Sequence, residues 1–428
     1  MRISSSLIYD TGLNTINAQQ SDLMHLYQQI GSGQKMVTPA DDPLAAAQAI
    51  NISQSQALNS RYAANRAVAN QDLGSEENAL SSLTDLLVSV RTSLVQAGNG
   101  TLSDADRGTL ADVLRNAQKT MLGIANTTDG NGQYLFSGSL GGTAPYQLAN
   151  PSNPSSGYQY KGDGLQRDIQ ADQTRRIASG DIGSDIFGRA QPGTLAYTSS
   201  AGSANTGSAI VGQPAVVDPS QGNAAARYAF SVQFQNNGAG GLQYVVTTMD
   251  ESVQPPVNVS PSPNPAQPWT AGQQAIDLGK GTTVQISGDP AIGDTFAVEP
   301  LRSPNTNVNM FDTLDQVIAA LSAPSQSSQQ STASLRNVLN SAMQKLSTNY
   351  DNVLTVRSSV GSRMNELTAL DNTGTQNNLG YTKTLSGLED LDYYAASMKL
   401  SLRQMALQGA TSAFQTIQNL SLFKMNSR

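Results

Sequence analysis

The densest pair of carboxylates in the sequence is Asp41–Asp42, which lies in a segment rich in helix breakers. Paired carboxylates can perform acid–base or glycosidic chemistry when they face each other across a cleft. Adjacent residues on one turn seldom converge on a substrate. Asp42 precedes Pro43, which is the pattern of a helix N-cap followed by proline at the first helical position. We therefore assign both carboxylates to capping and loop structure.

A second acidic motif, Asp104–Ala105–Asp106, imitates the opening of a calcium-binding loop. The next ligand position holds Gly108, and the position of the bidentate glutamate holds Arg115. Ser103 and Asp106 instead have the spacing of a capping box. The motif therefore predicts the start of a helix.

Two further motifs have structural explanations. Gly279–Lys280–Gly281–Thr282 lacks the glycine spacing of a phosphate-binding loop, and a glycine stands where that loop requires Ser or Thr after the lysine, so we interpret it as a turn. The single histidine, His25, has no second ligand type nearby and lies beside an apolar stripe. No catalytic constellation remains, and we expect no enzyme activity, cofactor or metal site.

Composition excludes other function classes. The chain has 428 residues, of which 13% are charged, against about a quarter in an average domain. With 0 Cys and 1 His it cannot build a Cys/His zinc site, and Cys–His nucleophile chemistry is excluded. The net charge of −7, with no Lys/Arg run, argues against nucleic acid or an anionic membrane as the main partner.

The sequence shows no signal for membrane insertion or cleavage. No stretch approaches the ~18 consecutive apolar residues of a membrane span, and Met1 to Tyr9 lacks the basic start and apolar core of a cleavable signal peptide. The richness in Ser, Thr, Asn and Gln suits a chain that ends up outside the cell.

An apolar stripe at steps of four and three predicts an amphipathic N-terminal helix. Its members are Tyr9, Leu13, Ile16, Leu23, Tyr27 and Ile30. Breakers follow from Gly31 to Pro39, and a second helix is predicted from Pro43. The first half of that helix carries the stripe Ala47, Ile50, Gln54, Ala57, Arg61, Ala64 and Val68, and its second half the stripe Leu80, Leu83, Leu87, Val90 and Leu94.

The C-terminal third keeps one heptad-like register from Leu335 to Met405, which favours long antiparallel helices or a coiled coil formed with the N-terminal helices. The breaker-rich segment Asn372 to Gly380 predicts an interruption of this helix. The last part of the chain carries two apolar faces. We expect both to take part in assembly, through Leu391, Met398, Leu400, Leu402, Met405, Leu407, Phe414, Ile417 and Leu420.

One short N-terminal helix cannot cover two apolar faces, so an ordinary monomeric bundle would leave one face in water. The segment Met1 to Ile30 also carries only three charges and has few ion pairs to support an isolated helix. Self-assembly is therefore the favoured interpretation, with the monomeric bundle as the alternative.

The middle of the chain changes character. From about residue 143 to residue 304, short alternating runs replace the helical period, as in Tyr228 to Phe234 followed by Leu242 to Met249. We predict a mainly α fold with an inserted β domain. The predicted domains are 1–42 plus 375–428 (terminal helices), 43–142 plus 305–374 (helical bundle) and 143–304 (β-rich insertion).

The residues between the first two helices also resemble a family motif. Ser32–Gly33, Pro39, Asp41–Asp42 and Pro43 match the SG-x5-P-x-DDP signature shared by bacterial flagellins and hook–filament junction proteins. The opening MRIS, the run DGNGQYLFSG at 129–138 and the run SGDPAIGDTF at 287–296 are more similar to the junction branch than to flagellin.

The resemblance implies a structural subunit of the bacterial flagellum, exported without a cleaved signal peptide through the type III flagellar apparatus and located at the hook–filament junction. It implies that the terminal helices lie innermost and the β insertion faces outward. The implied partners are copies of this chain, other hook-associated proteins, flagellin subunits and an export chaperone at the C-terminal helix. Flagellin itself and, less favoured, an extracellular carbohydrate-active enzyme remain as alternatives.

Overall fold

The computed structural model describes residues 5–150, 152–153, 156–221, 226–238, 240–261, 265–324 and 328–425. Long helices dominate the structure, and one of them lies at each end of the chain. The helices are α1 (Ser5–Ser32), α2 (Pro43–Ala97), α3 (Asp104–Ala125), α4 (Gly183–Phe187), α5 (Met310–Ser322), α6 (Gln329–Glu389) and α7 (Tyr393–Met425). The predicted capping box at α3 is confirmed, with Ser103 and Asp106 each accepting from the other's backbone N–H.

The strands all lie between α3 and α5. They are β1 (Tyr146–Leu148), β2 (Tyr158–Tyr160), β3 (Asp168–Gln170), β4 (Arg176–Ala178), β5 (Tyr197–Ala201), β6 (Ile210–Val211), β7 (Ala215–Val216), β8 (Tyr228–Asn236), β9 (Leu242–Asp250), β10 (Val257–Asn258), β11 (Gln267–Pro268), β12 (Gly272–Gly279), β13 (Thr282–Gly288) and β14 (Thr295–Pro300). The predicted class, mainly α with an inserted β domain, is confirmed.

The chain forms two compact units. One comprises residues 1–65 and 369–428, and the other residues 66–368. Among the described residues, the first unit is helical and the second contains all the strands. The finer division into three domains stays a prediction.

The strands form two larger sheets that share one core. The predicted hairpin of β8 and β9 pairs from Tyr228–Asp250 to Asn236–Leu242, and β14 and β5 extend that sheet. The second sheet orders β12, β13 and β6, with β7 also on β13. Phe234 and Phe296 from the first sheet and Ile286 from the second are at most 1% exposed and belong to one apolar cluster, so the two sheets pack face to face.

The apolar side chains in the register predicted for the C-terminal third are buried along most of α6. Leu335, Leu339, Leu346, Val353 and Leu367 are each at most 4% exposed. The predicted interruption between Asn372 and Gly380 is wrong, because α6 continues to Glu389. There the side chain of Asn59 on α2 donates to the carbonyl of Gly374 at 2.7 Å, so tertiary contacts support a segment of weak helix propensity.

The apolar stripe expected on the first half of α2 is also wrong. Ile50 and the other six positions of that stripe are exposed, and Ala45, Ala49, Ala69 and Leu73 are buried instead. Alanine is frequent on both sides of this helix, so hydropathy alone does not distinguish them. In the second half of α2, the stripe from Leu80 to Leu94 is buried as predicted.

Side-chain amides of α6 hold the edges of both sheets. Asn337 accepts from the N–H of Val211 at 2.8 Å and donates to the carbonyl of Ala209 at 3.1 Å, while Asn340 donates to the carbonyl of Val211. Gln344 accepts from the N–H of Ser199 on β5 at 2.9 Å. These amides satisfy backbone groups that an edge strand would otherwise leave unpaired.

Replacing Asn337 by Ala is expected to lower the free energy of unfolding of the strand-containing unit by about 2 to 6 kcal/mol, since two buried backbone groups lose their partners at a cost of about 1 to 3 kcal/mol each. Urea unfolding followed by the fluorescence of Trp269, the single tryptophan, measures it. Asn365→Ala, at an exposed position of the same helix, should change stability by less than about 0.5 kcal/mol. Equal effects of the two substitutions would contradict the proposed role of the amides.

Candidate assembly surface

The two ends of the chain form an antiparallel helix pair. The rings of Tyr9 on α1 and Phe414 on α7 lie 5.2 Å apart, and Arg403 lies opposite Asp22. At the other end of the pair, the hydroxyl of Tyr393 lies beside Gly33. The two helices therefore run in opposite directions, as the sequence predicts for long antiparallel helices from the two chain ends.

Glycine permits the close approach of Phe414. A Cβ atom at Gly12 would lie 2.8 Å from Cδ2 of the Phe414 ring, which is closer than real Cβ contacts. The half-buried Ile16 and Leu23 and the buried Leu26 follow Gly12 at helical spacing along α1. We call the surface between these residues and α7 the seam.

Polar contacts flank the seam. Arg403 forms an ion pair with Asp22 at 2.9 Å and donates to Gln19 at 3.2 Å, and Gln404 donates to the hydroxyl of Tyr27 at 2.8 Å. All of these side chains are partly in water, where an ion pair contributes about 0 to 1 kcal/mol. These contacts therefore set the register of the pair more than its stability.

Helix α7 has two apolar faces, and only one of them meets α1. Leu400, Leu407 and Phe414 are half-buried, as is expected of a face that lies in the seam. On the opposite face Met398, Leu402 and Met405 are 54%, 62% and 57% exposed. We call this second set, together with the 77% exposed Tyr394, the outer face of α7.

Apolar side chains on α1 are also exposed beside the seam. Tyr9, Leu13 and Tyr27 are 45%, 38% and 46% exposed, and Met24 is 66% exposed. They occupy a flank about a quarter-turn away from Gly12 and Leu23, as follows from 3.6 residues per turn. The single chain thus leaves a row of large apolar groups in water on each of its terminal helices.

The loop between α1 and α2 is organised by Asp41. Its carboxylate accepts from the N–H groups of Val37 and Thr38, each at 2.8 Å, and from Nε2 of His25 at 3.1 Å. The backbone bond from Thr38, supported by those from Val37, the Thr38 hydroxyl and the charge of His25, holds the pKa of Asp41 below its usual value. The structural roles expected for both aspartates agree with this geometry, since Asp42 accepts from the N–H of Ala45 at 3.0 Å.

The same loop is tied to the break between α6 and α7. The N–H of Lys35 donates to the carbonyl of Glu389 at 2.7 Å, and the N–H of Leu391 donates to the carbonyl of Gly33 at 3.0 Å. Gly33 has a φ of +72°, a conformation that favours glycine. Asp392 then starts α7 by accepting from the N–H of Ala395. The helix break therefore lies at 390–392.

The structure places the predicted residues in three groups. Ile16, Leu23, Ile30, Leu400, Leu407 and Phe414 are half-buried on the seam side, and Tyr9, Leu13, Tyr27, Met398, Leu402 and Met405 are exposed. Ser32, Gly33, Pro39, Asp41, Asp42, Pro43 and Leu391 lie at the loop and the break. The side chains of Ile417 and Leu420 lie outside the described residues.

Sequence reasoning missed several residues of this surface. Gly12 and Arg403 stand out only when the partner helix is known, because a glycine and a lone arginine carry no pairing signal by themselves. Within the described ranges, no helix is long and apolar enough to span a membrane, and no three carboxylate or histidine groups converge as metal ligands would.

Replacing Asp41 by Asn is expected to loosen the loop at pH 7, because the amide is a weaker acceptor for the two backbone N–H groups. In the unaltered chain the contribution of Asp41 is fully present above about pH 4 and is lost as the pH falls through its lowered folded-state pKa. Hydrogen exchange of residues 34–40 measures both effects. Asp10→Asn, at an exposed site of α1, is the control, and equal exchange in both variants would show that Asp41 does not organise the loop.

Comparison with known proteins agrees with this arrangement. The family model for the bacterial flagellin N-terminal helical region matches residues 3–140. The chain is 28% identical over 426 residues to flagellar hook-associated protein 3 of Escherichia coli strain K12, and 27% identical over 428 residues to that of Salmonella typhimurium strain LT2, with 100% of each chain covered.

Solved structures give the same result. The crystal structure of flagellar hook associated protein-3 from Legionella pneumophila matches with a TM-score of 0.67 and 29% identity, over 79% of this chain and 98% of that one. The FlgL structure from Xanthomonas campestris matches with a TM-score of 0.64 and 28% identity, over 78% and 99%. The signature at Ser32–Pro43, the paired chain ends and these matches lead to one conclusion: the chain is similar over its whole length to flagellar hook-associated protein 3, and its N-terminal third matches the flagellin N-terminal helical region.

Proposed function

We propose that this chain is a structural subunit of the bacterial flagellum that joins the hook to the filament and assembles through its terminal helices. The observation that carries the proposal is the outer face of α7, which stays exposed although α1 already covers the seam. Full-length similarity to hook-associated protein 3 of two bacteria supports a junction protein over flagellin. A relative from Legionella pneumophila is itself described as a flagellar junction protein.

The energetics favour assembly. Full burial of a large apolar side chain stabilises a complex by about 1.5 to 3 kcal/mol. Met398, Leu402 and Met405 are each more than half exposed, and the row on α1 adds four more apolar groups. Burial of both rows against neighbouring subunits would therefore offset part of the entropic cost of association.

The partners that fit these surfaces are copies of this chain, together with other hook-associated proteins and flagellin. Their terminal helices would offer apolar faces of the same kind. Before assembly, the exposed outer face of α7 needs protection from aggregation, and an export chaperone that binds this helix would supply it. Export through the flagellar type III route without cleavage of a signal peptide completes the proposal.

The two faces of α7 can be tested separately. Leu402→Asp places a charge on the outer face, so the monomer should keep its helix pair but incorporate at least about a hundredfold less well, because an unpaired buried carboxylate costs several kcal/mol. Leu407→Asp places the charge in the seam and should also weaken the pair itself. Circular dichroism of the monomer and cell motility measure the two effects.

Gln408→Glu is the matched control, since it adds the same charge to an exposed flank of α7 between the two faces. Normal filaments on cells that carry Leu402→Asp would overturn the role of the outer face. A loss of helix in the Leu402→Asp monomer equal to that in Leu407→Asp would favour the ordinary monomeric bundle.

Localisation decides between the junction and the filament. Immunogold labelling of the tagged chain on intact flagella should give one band at the hook end. Staining along the whole filament would instead identify a flagellin. The carbohydrate-active alternative requires two carboxylates about 5 to 9.5 Å apart across a cleft, and a glycan hydrolysis assay with the full chain tests it.

A further inference from the structure

A buried carboxyl group lies where α2 meets the loop between β4 and α4. Glu76 on α2 is 1% exposed. Its Oε1 accepts from the N–H of Asp181 at 3.2 Å, and its Oε2 is buried without a hydrogen-bond partner among the described residues. An ionised carboxylate in such a place costs several kcal/mol unless a cation or several donors compensate it.

The nearby cation is already engaged. Arg363 on α6 forms an ion pair with Asp181 and donates through Nη1 to the carbonyl of Ala178 at 3.2 Å. Within the described residues no ion pair reaches Glu76, and Asp72, one turn earlier on α2, interacts with Arg167 and Asp129 instead. Two carboxyl groups therefore lie near one guanidinium, and only Asp181 is paired with it.

We propose that Glu76 keeps a proton in the folded protein and that its contact with Asp181 is a pH-sensitive latch. The latch joins α2 and α6 to the loop at residues 179–182. A protonated Glu76 is neutral, so the pair with Asp181 carries one negative charge, which Arg363 balances. The protonated carboxyl group of Glu76 also becomes a donor, for which the neighbouring Asp181 carboxylate is an acceptor.

Electrostatics support this state. Burial, and then the negative charge of Asp181, raise the pKa of Glu76 to about 8, although Arg363 acts in the opposite direction. In the unfolded chain the same carboxyl group has the ordinary pKa of a glutamate, about 4.5. Between these two values the unfolded state releases a proton that the folded state retains, so stability falls as the pH rises, and the effect levels off above about pH 8.

The test compares Glu76→Gln with the unaltered full chain. Glutamine has the same shape, accepts from the Asp181 N–H and donates to its carboxylate, but it does not ionise. The unfolding constant of the unaltered chain divided by that of the variant should rise by about tenfold per pH unit from about pH 4.5 to pH 8, which amounts to roughly three-thousandfold, and then stay constant. Urea unfolding followed by Trp269 fluorescence measures it.

Glu77→Gln is the control, because Glu77 is the next residue, is partly exposed and pairs with Arg357 at 2.6 Å. Glu77→Gln should lower the free energy of unfolding. The difference from the unaltered chain should not shift in favour of this variant as the pH rises. A second measurement needs no variant. Hydrogen exchange at the Ser179 amide, which donates to the carbonyl of Arg167 at 2.8 Å and not to Glu76, should show protection that decreases toward pH 8 after correction for the intrinsic rate. A flat ratio for Glu76→Gln, or pH-independent protection of the Ser179 amide, would overturn the latch.

Discussion

A single helix can cover only one face of its partner, and α7 carries apolar residues on two. The seam face meets α1 through Leu400, Leu407 and Phe414, and the outer face meets water. This constraint explains why both chain ends carry long apolar stripes that an isolated chain cannot bury. The terminal unit therefore leaves the outer face of α7 unpacked, and neighbouring subunits of the flagellum cover that face in the proposed assembly.

Much of the architecture could be predicted from periodicity. Steps of four and three located the long helices, and the register from Leu335 to Leu367 is buried as expected because a heptad-like stripe keeps one side of a helix facing its partner. The β hairpin from Tyr228 to Asp250 followed from strict alternation around a polar turn. The capping residues Ser103 and Asp42 were recognisable because helix starts use a small set of side chains.

The errors have a common physical origin. On α2 the choice between two alanine-rich faces depends on what packs against them, which local hydropathy does not contain. At Asn372 to Gly380 weak helix formers are held in place by tertiary contacts such as that of Asn59, whereas the real break at 390–392 is fixed by backbone bonds to residues 33 and 35. The roles of Gly12 and Arg403 could be recognised only when their contacts with Phe414 and Asp22 were known.

Contacts in the strand-containing unit give a physical reason for the low content of charged residues in the chain. Amides of α6 pair with edge-strand backbone at Val211 and Ser199, where ion pairs would have lost hydration. A neutral amide offers both a donor and an acceptor, so one Asn satisfies two backbone groups at once. Glu76 fits this scheme, because a protonated carboxyl group resembles an amide in its hydrogen-bonding capacity.

The paired breaks in the terminal unit have a mechanical consequence. The chain passes between α1 and α2 at residues 33–42 and between α6 and α7 at residues 390–392, and two backbone hydrogen bonds tie these crossings together. A single connection would leave the pair of α1 and α7 free to rotate about that connection. Two connections joined by backbone hydrogen bonds restrict this rotation, so the paired chain ends and the start of α2 keep a defined relative orientation.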